Sequence, residues 1–585
     1  MGTSKNRLFF PVPLQFLAFQ ATKHAFQIKT SLILLFILLF PLPLFPISLT
    51  GPVHYWETLE GDPVELAFRM TEEMSDEQAL AQTFMLAWVG AEPSPLILEW
   101  IRHRNIGGGK IFGWNTDNTL RLAQTVGELQ SASLATQFGI PLFVATDQEG
   151  GMVRHVRGAT SQTPGNMAIG ASGRPIDAYR SGYFIGRELA LLGINMNFAP
   201  TVDLHTNRHS TIIGPRSFGD DPVNVAILGA AFARGHRETG VIATAKHFPG
   251  HGDTALDSHG ILPRITAPFE VLWDRELIPY RMLIREGIPA VMSGHLAFPN
   301  TPGGETPASL SPWFLKDVLR GKLNFDGVII TDDLMMHGAL DYTRSLPIAA
   351  RMALQAGNDI IMLSITPHLN DAVWTYLLST MQTDPAFRER VRDACRRILT
   401  LKLQHLQGQG KVPFIPDLER VATELRLPES DSFFLSLAAR SVTTINGEDL
   451  FPLTPENSGS VLLAGNFVEF INAGRRAFPG SASFHLGRGA AALAAYIRNA
   501  DTVIFCLSNI AGLRVLQEAR RLVNMDDKNI IVFSILNPVH LEELYWVDGA
   551  VVVYSYAPVS FNAGFSAILG RIPGEGRLPF SINGN

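Results

Sequence analysis

Eight short apolar runs separated by amphipathic stretches recur between residues 82 and 364, and this alternation constrains the fold more than any other feature of the chain. The runs are 82–88 (QTFMLAW), 106–112 (IGGGKIF), 141–147 (PLFVATD), 193–200 (GINMNFAP), 241–247 (VIATAKH), 288–295 (IPAVMSGH), 326–332 (DGVIITD) and 358–364 (NDIIMLS). Strands covered on both faces of a parallel sheet lack polar alternation and read as such runs. Between them, segments such as Asp177 to Leu192 and Val223 to Thr239 carry helical periodicity. Eight strand–helix units across 62–406 predict an α/β fold of the (β/α)8 TIM-type barrel class. Such barrels work at the C-terminal ends of their strands, and polar residues gather there. Asp147 ends the third run, Lys246 and His247 the fifth, His295 the sixth and Asp332 the seventh.

At 585 residues the chain is too long for one core. Residues 407–432, rich in Pro, Gly and charge, are expected to be a linker. Residues 433–585 are expected to form a smaller α/β sandwich domain with parallel strands near 460–464, 502–507, 529–535 and 549–554. That domain is expected to supply no essential acid, because every catalytic candidate precedes the linker. The two cysteines, Cys395 and Cys506, form neither a disulfide framework nor a metal–thiolate spacing. With 17% charged residues and a net charge of −6 there is no basic footprint for nucleic acid.

Within residues 1–50, the segment Ser31 to Leu49 holds nineteen residues without a charge, long enough to cross a bilayer. Lys5, Arg7, Lys23 and Lys29 precede it, while Glu57, Glu60 and Asp62 follow. That bias puts the N-terminus inside and the remainder outside the cytoplasm, in the cell envelope. With no Ala-x-Ala site after it, the segment is read as an uncleaved anchor in preference to a signal peptide.

Residues 246–260 read KHFPGHGDTALDSHG, three histidines, two aspartates and a lysine on a glycine-rich stretch directly after a strand. A polar turn whose histidines merely cap and solvate is the bland reading. A metal site is disfavoured, because Pro249 and Gly250 forbid the helix on which His247 and His251 would face one ion. The third reading is acid/base chemistry. In an extended segment Asp257 and His259 project to the same side, so the carboxylate can hold the imidazole and fix its tautomer. Further on, Gly327 to Leu334 is a β-branched run ending in two carboxylates. Asp333 is expected to cap the next helix, which leaves Asp332 as the acid that the strand delivers.

Asp147-Gln148-Glu149-Gly150-Gly151, Gly214 to Gly219 (GPRSFG), KHFPGHG at 246–252, DSH at 257–259 and TDDL at 331–334 occur in this order. Together they resemble glycoside hydrolase family 3, in its β-N-acetylglucosaminidase (β-N-acetylhexosaminidase) branch, over most of residues 65–400. The end of the chain, from Tyr556 through Phe580, is similar to the end of that family's second domain. The resemblance implies a retaining glycosidase that removes terminal β-linked N-acetylglucosamine, from peptidoglycan-derived sugars, without cofactor or metal. Asp332 would be the nucleophile and His259 the acid/base with Asp257 as its partner. Asp147, Arg216, Lys246 and His247 would hold the sugar. His155 stands where the family pattern has Arg, with Arg154 one residue earlier. An imidazole acid leaves no negative charge to repel an anionic acceptor, so phosphorolysis stands beside hydrolysis. A β-glucosidase or β-xylosidase of the same fold would take its acid from a Glu elsewhere, and a sugar-binding envelope protein would need no intact Asp332 or His259.

Overall fold

The computed structural model describes residues 55–582. The expected anchor at 31–49 lies outside the described residues. Among those described, no helix is long and apolar enough to cross a membrane.

Each of the eight apolar runs contains a strand. In chain order the strands of the first domain are β1 (Phe84–Ala87), β2 (Gly108–Ile111), β3 (Phe143–Thr146), β4 (Gln148–Gly150), β5 (Val153–Arg154), β6 (Met196–Asn197), β7 (Ile242–Phe248), β8 (Ala290–Ser293), β9 (Val328–Asp333) and β10 (Ile360–Leu363). β4 and β5 form a separate antiparallel hairpin. The other eight close into a parallel barrel in the order β1-β2-β3-β6-β7-β8-β9-β10, with β10 pairing back onto β1.

Strand parity explains both the continuous apolar runs and the placement of the polar residues. One set of alternate positions, including Met85, Phe143, Ala145, Ile242, Met292, Val328, Ile330, Ile360 and Met362, packs together in a single cluster. The intervening positions, including Phe84, Leu86, Val144, Ala243, Ile329, Ile361 and Leu363, pack with the surrounding helices. Both sets are buried, so neither face needs polar residues. Continuing the inner set by one step of two reaches Asp147 from Ala145 and Asp332 from Ile330, and Lys246 from Ile242 by two such steps. Charged side chains therefore form the top layer of an otherwise apolar barrel.

The second domain is a six-stranded sheet of β11 (Thr443–Ile445), β12 (Val461–Ala464), β13 (Ala482–Phe484), β14 (Thr502–Leu507), β15 (Asn529–Ser534) and β16 (Gly549–Val552). Its order is β11-β16-β15-β14-β12-β13, with apolar clusters on both faces. The strands are parallel except β11, which runs antiparallel to β16. The segment 407–432, expected as a linker, holds the helix Leu418–Glu424 and the start of the helix Pro428–Ser441. Asp417 caps the first of these through the N–H groups of Glu419 and Arg420, and Pro428 occupies the first turn of the second, where its missing N–H costs nothing.

Candidate active site

The top of the barrel is a continuous ion-pair network. Asp147, directly after β3, accepts from Lys110 Nζ at 2.7 Å and Lys246 Nζ at 2.5 Å. Lys246 also reaches Glu149 at 2.6 Å. Arg216 binds Glu149 with both arms of its guanidinium, at 2.8 and 2.9 Å, and its Nη2 lies 3.3 Å from His247 Nε2. His247 Nδ1 is 2.7 Å from Asp203. Asp203 also accepts from the His247 and His251 backbone N–H groups. An Nδ1–H on His247, given to Asp203, leaves Nε2 as an acceptor for Arg216.

Burial and charge compete throughout this layer, and charge prevails on the acids. Burial would raise the Asp147 carboxyl, but Lys110 and Lys246 hold it well below the usual carboxylate range. Burial is likewise overcome at Glu149, which Arg216 and Lys246 hold at about 2, and at Asp203, which His247 and His251 hold at about 2. At Asp332 burial pushes up, and the fields of His247 and His295, with the Asp333 N–H at 2.8 Å, bring the carboxyl below its ordinary value. Asp332 is therefore an ionised carboxylate facing the barrel mouth. An oxygen nucleophile needs that state.

Asp333 is not a helix cap. Its carboxylate accepts from the Met335 and Ser364 N–H groups at 3.0 and 3.1 Å, tying the end of β9 to the end of β10. The following helix, His337–Thr343, starts without a side-chain cap. The Asp333 carbonyl takes a bond from His295 Nε2 at 2.9 Å.

Asp257 and His259 meet, but in a turn and not in the extended segment their spacing suggested, with the Gly260 and Ile261 N–H groups bonded to the Asp257 carbonyl. Asp257 Oδ1 accepts from both His259 Nδ1 at 2.7 Å and His259 N at 2.9 Å, which fixes the ring and leaves Nε2 for another partner. The His259 side chain is 71% exposed, and no hydrogen bond joins the pair to Asp332 or to the ion-pair network. The residue between them is the anchor. Ser258 is buried; its hydroxyl lies 3.2 Å from His251 Nε2 and its carbonyl accepts from Gly338 N at 3.0 Å. The exposed dyad is thus tethered to the element that follows Asp332. Two of the loop glycines, Gly250 and Gly252, serve close packing, whereas Gly260 has room beside it. A Cβ on Gly252 would lie 1.5 Å from the Leu204 carbonyl oxygen, and one on Gly250 would meet the Glu276 side chain at 2.7 Å.

His155 occupies the barrel mouth, with Nδ1 3.4 Å from Lys110 Nζ and 3.7 Å from Asp147. Burial and the Lys110 charge lower its pKa to about 4, so it is a neutral ring at pH 7 where the family pattern has a guanidinium. Arg154 turns away and donates to the Thr160 and Ser161 carbonyls. Sequence reasoning assigned no role to Lys110, Glu149 or Asp203. Lys110 and Glu149 sat inside quoted segments, and the only signal for Lys110 was a lone charge in an apolar strand.

Residues 78–401 match the model of the glycosyl hydrolase family 3 N terminal domain. Beta-hexosaminidase A of Pseudoalteromonas piscicida is 32% identical over 382 residues, covering 61% of this chain and 62% of that protein. A beta-hexosaminidase of Tolumonas auensis is 36% identical over 308 residues, 52% of this chain and 88% of its own length. The solved structure of a glycoside hydrolase family 3 beta-N-acetylglucosaminidase from a Paenibacillus species superposes with a TM-score of 0.78 at 28% identity, covering 88% of this chain and all of that one. The chain belongs to glycosyl hydrolase family 3, a family of glycosidases.

Proposed function

We propose that this glycosidase removes terminal β-linked N-acetylglucosamine with retention, Asp332 acting as nucleophile and His259 as acid/base. The observation that carries the reading is an ionised, inward-facing Asp332 on the strand whose following helix holds the loop of a carboxylate-bound imidazole. The names of the relatives support the sugar. In the first step an Asp332 oxygen attacks the anomeric carbon. The bond to the leaving oxygen breaks, and that oxygen takes the Nε2 proton of an imidazolium held by Asp257. In the second step the neutral Nε2 removes a proton from water as its oxygen attacks the same carbon. Asp332 leaves as carboxylate and the imidazolium is restored. Arg216, Lys246 and His247, with Asp147 as acceptor, would orient the sugar hydroxyls and N-acetyl group.

Nitrophenyl β-N-acetylglucosaminide should be cleaved in preference to the β-glucoside, and rates with and without phosphate separate hydrolysis from phosphorolysis. Asp332→Asn keeps shape and removes the attacking charge, so activity should fall by several orders of magnitude with melting unchanged. A fluorinated slow substrate should label the peptide holding Asp332; label on Asp333 would refute the assignment.

The natural substrate is proposed to be peptidoglycan-derived, met outside the cytoplasm by an enzyme held at the membrane through residues 31–49. The uncharged length and preceding Lys/Arg bias support this. Full-length chain should pellet with membranes and be degraded by external protease in spheroplasts; protection would overturn the orientation.

A further inference from the structure

The loop that carries Asp257 and His259 has an attachment besides Ser258. Arg275 stands in the break between the helices Phe269–Asp274 and Leu277–Arg285. Its Nη2 donates to Asp253 at 2.7 Å and lies 2.6 Å from Glu276 Oε1, which also accepts from its Nε at 2.6 Å. Asp253 precedes Asp257 by four residues. The planar guanidinium presents its donors in a fixed fork, so one side chain holds a helix acid and a loop acid in a set relation.

Glu276 is the fixed end of this clamp. It is 2% exposed, and its stem packs on the loop backbone, since a Cβ on Gly250 would lie 2.9 Å from Glu276 Cβ. Its Oε2 has no hydrogen-bond partner among the described residues, and Arg275 is its one ion-pair partner there. Burial pushes its carboxyl up to about 7 even beside that arginine. Asp253 is the movable end. It and Arg275 are 33% and 32% exposed, so the pair adds little to global stability. What it contributes is placement.

Placement is what the dyad lacks elsewhere. Asp257 fixes the imidazole within the turn, but the 71% exposed ring has no bond to Asp332 or to the ion-pair network. A general acid must come within about 2.6–3.2 Å of the oxygen it protonates. The position of His259 over the barrel mouth therefore depends on where the turn is attached, at Ser258 and at Asp253.

We infer that Arg275 is a positioning residue for proton transfer: by joining Asp253 to the buried Glu276 it sets where the dyad turn stands over the barrel mouth. The inference rests on the reading of His259 as acid/base. It makes the helix pair 269–285 part of the acid/base machinery although it touches no substrate.

The test uses the full chain with nitrophenyl β-N-acetylglucosaminide, an activated leaving group, and methyl β-N-acetylglucosaminide, a poor one. Asp253→Asn frees the loop and leaves Arg275 on Glu276. Arg275→Met removes the clamp, and Glu276 then takes a proton in preference to standing as a bare buried charge. A misplacement near 1 Å can cost about 10²-fold. With Ser258 still holding, each variant should lower kcat/KM on the methyl glycoside by about 10-fold and stay within about 2-fold on the aryl glycoside. Arg275→Lys should recover part of the loss. The double variant should be no worse than Arg275→Met, and neither change should slow His259→Ala further. Equal slowing of both substrates, no slowing of either, or a further loss in His259→Ala would overturn the positioning role. Hydrogen exchange of the 254–261 amides judges the clamp whether or not His259 is the acid. Exchange about 10-fold faster in Asp253→Asn, confined to that turn, supports it, and unchanged exchange sinks it.

Discussion

Lys110 and Lys402 are both fully buried lysines, and their surroundings give them opposite consequences. Lys110 has a carboxylate at 2.7 Å and is part of the barrel mouth. Lys402 has only the Gln82 amide oxygen at 2.9 Å and the face of Phe143. Burial therefore pulls its pKa down to about 7, with only the Cys395 thiol opposing. An unfolded chain keeps the proton up to about 10.5, so between pH 7 and 10.5 the unfolded state binds more protons and stability rises with pH. The cost is complete below pH 7. At ~1.4 kcal/mol per pKa unit its ceiling is about 5 kcal/mol. Lys402→Met, close in volume, should raise the melting temperature most at pH 6, and the gain should shrink steadily toward pH 10. A gain independent of pH would mean that packing, not the proton, sets the difference. Neither lysine could be sorted from sequence. Each has apolar neighbours on both sides in the sequence, and what separates them is a carboxylate 37 residues away for Lys110 and only the neutral Gln82 amide for Lys402. Asp147, Lys246 and Asp332 were legible because strand parity alone carries them to the barrel mouth.

At the scale of the element, buried strands announced themselves, even the two-residue β6, and those at the edges of the second sheet did not. β11 and β13 have three residues each at the sheet edges, too short for any periodicity, and the helices in 407–432 were hidden by their own capping prolines and acids. The dyad loop was legible in its chemistry but not in its mechanics. Gly250 and Gly252 are there for close approach, and Ser258 pins the turn to Gly338 N. A Cβ on Gly338 would sit 2.8 Å from His295 Cβ and 3.2 Å from the Ser258 carbonyl. Gly338→Ala, although favourable for a helix, should push the dyad turn out of place. His259→Ala sets the signature of a lost acid: a loss about 10²–10⁴-fold greater on poor leaving groups than on activated nitrophenyl glycosides. Gly338→Ala should show the same leaving-group dependence at smaller size. Equal slowing of both substrate types by His259→Ala would remove the dyad from the mechanism. Equal slowing by Gly338→Ala alone would show that its effect falls on Asp332 through His295.

The two domains are joined by buried contacts that no single segment foretells. Met167, Ala168 and Ala171 of the barrel pack with Val552, Tyr554, Phe580 and Ile582, and Arg440 binds both oxygens of Asp177 at 2.6 and 3.1 Å. Arg208 adds a bond to Glu542 and another to the Ile582 carbonyl at 2.7 Å. Asp177 was read only as the start of an amphipathic helix, because its partner lies 263 residues on. Its side chain is 3% exposed, against 29% for Arg440. Arg440→Ala therefore strands a buried carboxylate, eased only by its place in the first turn of the helix Pro175–Leu191. With the arginine's partial exposure discounting the interaction, the loss should be about 2–3 kcal/mol. Calorimetry should show it as a lower temperature for one shared transition, since the apolar seam couples the domains. Asp177→Asn combined with Arg440→Met should recover much of the loss, because neither leaves a charge in the interface. Two separate transitions in the single variant would mean the domains melt independently. Full additivity in the double variant would mean the pair contributes no coupling.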